Sequence, residues 1–263
     1  MKDEGKRIII FLLAFAFLLL PFSLPTHATE IAKIQRRGYL NIAVKDNLRP
    51  LAFKDANGNL QGLEIDLARR LAADLLGKPD AVKLQPVTNR DRLQVVLEHK
   101  VDIAIARVTA TASRARLVSF SVPYYFDGAV LVTKDTAIQR LSDLSRRKIA
   151  VLKGSSTIAS VRYALPEAEL VGVDSYQEGR SLLENNTTSA FAADASVLTG
   201  WVQEYPEYRI LATKLSTQPL SIVMPKGLQY DELRRNINQA LARYLSSGWL
   251  KERARYWGLF TGE

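Results

Sequence analysis

From residue 40 onward, short apolar runs alternate with amphipathic stretches along the whole chain. LNIAV (40–44) predicts a short buried strand, and 64–76 an amphipathic helix with Ile65, Leu67, Leu71, Leu75 and Leu76 at helical spacing. Gly77 follows as its cap. KDANGNLQG, before that helix, holds an Asn-Gly turn of the hairpin type. VKLQPV predicts a second strand, 91–99 a second helix with Leu93, Val96 and Leu97, and VDIAIA (101–106) a third strand. That third strand is apolar on both faces, as strands of a covered parallel sheet are.

The alternation then repeats. AVLVTK, KIAVL, AELVGV and SAFAAD predict strands, with helices over 156–163, 175–184 and 195–205. SIVMP predicts another strand, and 231–247 a long helix striped by Leu233, Ile237, Leu241 and Leu245. Gly248 stops it, and WLKERARYWG adds a last turn or two. Alternating strand and helix imply an α/β protein whose sheets are covered by helices. About ten strands exceed one comfortable sheet, so the pattern predicts two lobes. Pro123–Gly128 and Leu215–Pro219 read as the crossings between them. The expected division is 29–127 and 219–263 for the first lobe and 128–218 for the second.

Residues 1–28 change the picture. Lys2, Lys6 and Arg7 precede a continuous apolar run, 8–20, and Thr26-His27-Ala28 offers a small-residue cleavage site. The run is short for a bilayer span and has the form of an export signal. An uncleaved anchor is the other reading. Cysteine is absent, which excludes disulfides and a lipoprotein anchor and makes a soluble periplasmic protein the expectation. The 263 residues carry 36 Lys+Arg against 27 Asp+Glu, a formal charge of +9. The basic residues are scattered, with no arginine-rich tail and no zinc-finger spacing, so the charge points to an anionic ligand, partner or membrane face and not to nucleic acid.

The chemistry concentrates after the third strand, in ARVTATASRAR. Thr109, Thr111 and Ser113 beside Arg114 and Arg116 read either as a solvated helix start or as a seat for a small anion. Such a seat would lie at the carboxyl end of a strand, where ligands of open α/β sheets bind. KGSST (153–157) lacks the G-x-x-x-x-G-K-[ST] spacing of a phosphate loop. Neither a metal-ligand cluster nor a cofactor motif is present.

The order GYLNIAV, PLAFKDANGNLQGLEIDLA, VDIAIARVTATASR, FSVPYY and AVLKGSST resembles the polar-amino-acid solute-binding proteins of ABC importers, over about residues 37–258. The resemblance implies a two-lobe periplasmic-binding-protein-like fold, each lobe a mostly parallel sheet flanked by helices, with a ligand cleft at the hinge. It implies that Thr109 and Arg114 of T-x-T-x-x-R hold the ligand's α-carboxylate, a guanidinium being suited to a bidentate pair. Ser155 and Ser156 would add backbone N–H groups at a helix start. Asp194, with the Thr109 hydroxyl and the Arg107 carbonyl, would take the α-ammonium. Asp194 as a plain helix cap is the alternative. Relatives that bind cationic amino acids have an aspartate where this chain has Lys45, and aromatics where it has Leu48 and Leu63. Arg107 stands where a small residue is usual. If Lys45 and Arg107 face the cleft, glutamate, aspartate or glutamine fits better than a basic amino acid; Lys45 extending to solvent is the other reading. The implied partner is a membrane permease, and the implied state a monomer.

Two rivals remain at this level. An enzyme on the same scaffold, of cyclohexadienyl or arogenate dehydratase type, would need acid–base groups. His27 leaves with the signal and His99 sits late in a helix, which leaves Glu64 or Asp66 as candidates. A soluble ligand sensor would present the same cleft, and the expectation that no signalling segment follows Trp257 weighs against a membrane-bound one.

Overall fold

The computed structural model describes residues 29–261, so the export-signal segment 1–28 lies outside the described residues. The chain opens with helix α1 (Glu30–Arg37), whose Ile31 and Ile34 are buried and whose end is closed by Gly38. Next come β1 (Leu40–Val44), β2 (Asn47–Leu48), β3 (Ala52–Lys54) and β4 (Leu60–Gln61). The last three form a small antiparallel sheet around the Asn-Gly turn. Helix α2 (Leu63–Leu76), β5 (Val82–Pro86), α3 (Asp91–Leu97), β6 (Ile103–Ile105), the single turn α4 (Ala112–Ala115) and the long β7 (Ser119–Asp127) follow.

Beyond Gly128 the chain builds a second lobe. Its elements are β8 (Ala129–Thr133), β9 (Lys148–Leu152), α5 (Thr157–Ala164), β10 (Glu169–Val173), α6 (Tyr176–Glu184), β11 (Ala190–Asp194), α7 (Ala195–Glu204) and β12 (Arg209–Ile210). It then returns as β13 (Gln218–Met224) and finishes with α8 (Asp231–Ser246) and α9 (Trp249–Tyr256). The first sheet runs β5-β1-β6-β13-β7 and the second β10-β9-β11-β8-β12. Parallel pairing holds within β5, β1 and β6 and within β10, β9 and β11. The strands next to the crossings pair antiparallel.

Period-2 packing explains the continuous apolar runs. Leu40, Ile42 and Val44 face one cluster with Ile103, Ile105, Leu220 and Leu241, while Ala43, Ala104 and Val223 face a second cluster. In the other lobe Phe191 and Ala193 face Trp201, and Ala190 and Ala192 face Ile149 and Leu165. Each sheet is thus covered on both sides, so neither strand face can be polar.

Pro123–Gly128, expected as a crossing, stays in strand form until Asp127, and Pro123 is tolerated because β7 is an edge strand with irregular register. The chain crosses at Gly128, where a Cβ would stand 1.8 Å from the Ser216 carbonyl oxygen of the return crossing. The two crossings are therefore in backbone contact.

Helix α7 of the second lobe seats directly on the first. A Cβ on Gly200 would lie 2.2 Å from the Arg49 carbonyl oxygen, and the Gln203 amide donates to the Trp257 carbonyl at 2.9 Å. Alanine in a helix interior ordinarily gains about 1 kcal/mol over glycine. Here the Cβ meets backbone of the opposite lobe, so Gly200→Ala should push the lobes apart while keeping the helix. Small-angle scattering is expected to show a larger radius of gyration with an unchanged far-UV spectrum; an unchanged radius would show that this contact does not hold the lobes together.

Candidate ligand-binding cleft

Strand β6 ends at Ile105; Ala106 and Arg107 follow it, and Arg107 has a left-handed backbone, φ 49°. For a side chain of this size that conformation costs on the order of 1 kcal/mol and must be held from outside. Glu64, at the start of α2, accepts the Arg107 N–H at 2.7 Å and the Tyr124 hydroxyl at 2.5 Å. Arg92, at the start of α3, donates to the carbonyls of Ala106, at 2.8 Å, and of Arg107. The turn is clamped on both sides, and its side chain is sent toward the second lobe.

There the guanidinium forms an ion pair with Asp194, at the end of β11, and its Nε lies 3.3 Å from both Asp127 Oδ2 and the Ser196 hydroxyl. Asp127 is almost completely buried and also accepts the N–H of Gly128 at 2.9 Å, the N–H of Ser196 at 3.0 Å and its hydroxyl at 2.5 Å. Burial alone would lower the Arg107 pKa, but Asp194 and then Asp127 outweigh it and raise it further.

A second hydrogen-bonded group lies alongside. Arg114 donates to the Thr109 carbonyl at 2.9 Å, and Thr111 caps α4. The Thr109 hydroxyl donates to Gln218 at 3.3 Å, and the Gln218 amide donates to the Ser156 hydroxyl at 3.2 Å. Residues from both lobes thus meet on one glutamine. Ser156 begins α5, and the neighbouring Ser155 hydroxyl is buried with no partner among the described residues. Burial, then Arg114 and Arg107, lower the Arg92 pKa to about 10, so these three cations crowd one another.

Next to these groups opens a cavity of about 930 Å³, lined by Lys45, Leu48, Asp91, Arg107, Tyr176 and Val197 among others. Lys45 therefore faces the cleft and not open solvent. It is buried, donates to the Val87 carbonyl at 2.8 Å, and has its pKa lowered by burial and then by Arg92.

Several expectations need correction. Leu63 does not reach the cleft: it is fully buried at the start of α2 and packs into the first lobe's core, because a helix opening against a sheet turns its first apolar side chain inward. The Arg107 carbonyl is not open to an amine, since Arg92 donates to it. Asp194 makes no capping hydrogen bond to α7; Asp127 accepts the N–H of Ser196 instead. Thr109, Ser155, Ser156, Arg114 and Asp194 do not line the large cavity and gather in the two polar groups beside it. Sequence reasoning did not pick out Arg92, Asp127, Ser196 or Gln218. Asp127 stood in the noted YYFDG crossing and Arg92 at a helix start, but no spacing rule links either to Arg107.

With two covered sheets joined at a double crossing, and polar groups of both lobes meeting in the cleft between them, the match of residues 40–260 to the family described as bacterial extracellular solute-binding proteins, family 3, is decisive. The chain belongs to that family. It is 30% identical over 195 residues to a glutamine-binding protein of Geobacillus stearothermophilus, covering 73% of this chain and 74% of that protein. In structure it is similar to the solute receptor for L-cysteine of Neisseria gonorrhoeae, with a TM-score of 0.67, 29% identity and coverage of 87% of this chain and 93% of that one. An ancestral amino acid-binding protein described as a precursor of cyclohexadienyl dehydratase gives a TM-score of 0.67 at 26% identity, covering 88% and 99%. These family relatives are named as binding proteins and receptors.

Burial lifts the Glu64 carboxyl above its ordinary 4.5, against the pull of the Tyr124 hydroxyl and the Arg107 amide. A carboxyl whose folded pKa is raised stabilises the fold below its unfolded value and loses that contribution as pH rises through the folded one. Thermal melts from about pH 4.5 to about pH 8 should therefore lose less stability in Glu64→Gln than in the unaltered protein. Parallel pH profiles would rule Glu64 out as the source.

Proposed function

We propose that the protein is the periplasmic solute-binding component of an ABC importer, exported by residues 1–28 and delivering its cargo as a monomer to a membrane permease. The cargo is a polar amino acid; glutamate, aspartate or glutamine fits better than arginine or lysine. The supporting observation is the meeting of Thr109 of the first lobe with Ser156 of the second on Gln218, beside a guanidinium that has no carboxylate partner among the described residues.

In this reading the Arg114 guanidinium takes the ligand's carboxylate, since a planar fork of N–H donors matches two carboxylate oxygens. Backbone N–H groups at the start of α5, next to Ser155 and Ser156, grip it from the other lobe. A ligand held by both lobes stabilises the closed arrangement by its differential affinity for it. Discrimination comes from charge. Lys45 and Arg107 line the cavity and Arg92 stands close to both, so desolvating a further cation there is unfavourable. The glutamine-binding name of the relative quoted above agrees with an uncharged or acidic side chain.

A thermal-shift screen of the amino acids selects the probe, because stabilisation grows with the ratio of ligand concentration to Kd. With that probe, Arg114→Ala should weaken binding about 100-fold or more, two charge-assisted hydrogen bonds being lost. Micromolar affinity retained in calorimetry would refute the assignment. Lys45→Asp should move the preference toward arginine or lysine, and an unchanged ligand profile would show that Lys45 takes no part in selection.

A further inference from the structure

Apolar side chains from three separate segments are left exposed around one cavity outside the cleft. Phe126 is 53% exposed, Leu245 49% and Phe260 36%. All three line a cavity of about 390 Å³, which shares no lining residue with the larger one among the described residues. Leu245 is the last member of the α8 stripe, yet it does not join the core cluster that takes Leu233, Ile237 and Leu241. Apolar surface gathered at a concavity, and not spread singly, is a mark of a binding site.

The cavity sits against the hinge. Phe126 is the residue before Asp127 and the crossing at Gly128, and Lys214 belongs to the return crossing. Lys214 ties the two by donating to the Phe126 carbonyl at 2.6 Å. The opposite wall comes from first-lobe helices, with Leu245 near the end of α8 and Leu250 buried on α9. The cavity therefore forms where the crossings meet the last two long helices.

Its charge has one sign. Lys214 and Lys251 are the charged side chains among the described residues that line it, and no carboxylate does. Lys251 stands exposed in the first turn of α9. Burial lowers the pKa of Lys214, with Asp127 pulling the other way. Asp127 is itself engaged, accepting from Gly128, Ser196 and Arg107. A ligand anion would thus meet two ammonium groups, and a cation would be repelled by both. A zwitterionic head group would have to set its ammonium against apolar walls without a partner. We propose that this hinge-side cavity is a second binding site, and that it takes a small amphipathic monocarboxylate. The aromatic or aliphatic body lies against Phe126, Leu245, Leu250 and Phe260, and the carboxylate points toward Lys214 and Lys251.

The probes are octanoate and phenylacetate, with octanamide and phenylacetamide as uncharged counterparts, titrated in a calorimeter at low salt. Both acids should bind with a Kd of about 1 mM or below, each at least about fivefold more tightly than its amide. Lys251→Glu should weaken both acids about tenfold and leave the amides unchanged. Leu245→Asp, at an exposed position, should abolish binding of acids and amides alike with an unchanged far-UV spectrum. Arg114→Ala, which strips the cleft of its proposed carboxylate donor, should leave octanoate binding as it is. No binding of either acid by calorimetry or ligand-observed NMR up to about 10 mM would overturn the second site. Equal binding of acid and amide, or loss of octanoate binding in Arg114→Ala, would overturn it as well. None of these outcomes bears on the cargo assignment, which stands or falls with Arg114 and the amino-acid screen.

Discussion

Arg107 reaches from the end of a first-lobe strand to Asp194, across the cleft, and to Asp127, where the chain crosses between lobes. Most of the cleft's geometry hangs on this contact. Asp127 accepts the Ser196 N–H in the first turn of α7 and so orients that helix, and α7 in turn rests on the first lobe at Arg49 and Trp257. A single guanidinium thus ties the sheet end, the crossing strand and the helix that closes on the opposite lobe. It does so only because Glu64 and Arg92 hold its backbone in a conformation that a free arginine avoids.

The same construction sets buried and half-buried cations among carboxylates. Lys45 and Arg92 have lowered pKa values chiefly from burial, with repulsion between them adding to the effect. Desolvated cations that meet only carbonyl oxygens are poorly compensated compared with cations facing carboxylates.

The lobe junction and the cleft share parts in this protein. The two crossings touch at Gly128 and Ser216, and Gln218 begins the return strand while linking Thr109 to Ser156. A change in lobe disposition must therefore pass through residues that also border the cleft. Family membership accounts for the scaffold, and Arg107 and Lys45 line the cavity within it.

Sequence periodicity alone determined the helices α2, α5 to α8 and the buried strands other than β7 and β13 to within a residue or two, because local spacing decides which face meets a core. Some elements escaped it: α4 and β12 have too few residues for a period to register, α1 is not among the elements the pattern predicts, and the second half of β7 reads as a crossing because of Pro123 and Gly128. The hydroxyl-rich turn holding Thr109 and Arg114 was visible as a polar break after a strand, and Lys45 and Arg107 were legible as unusual charges. Which way those charges point was not. Leu63 was read into the cleft and lies in the core, while Asp194 pairs with a residue far away in the chain that no spacing rule connects to it. Only tertiary structure could decide such matches, since an ion pair between lobes depends on how two independently patterned sheets are set against each other, and local sequence carries no record of that distance.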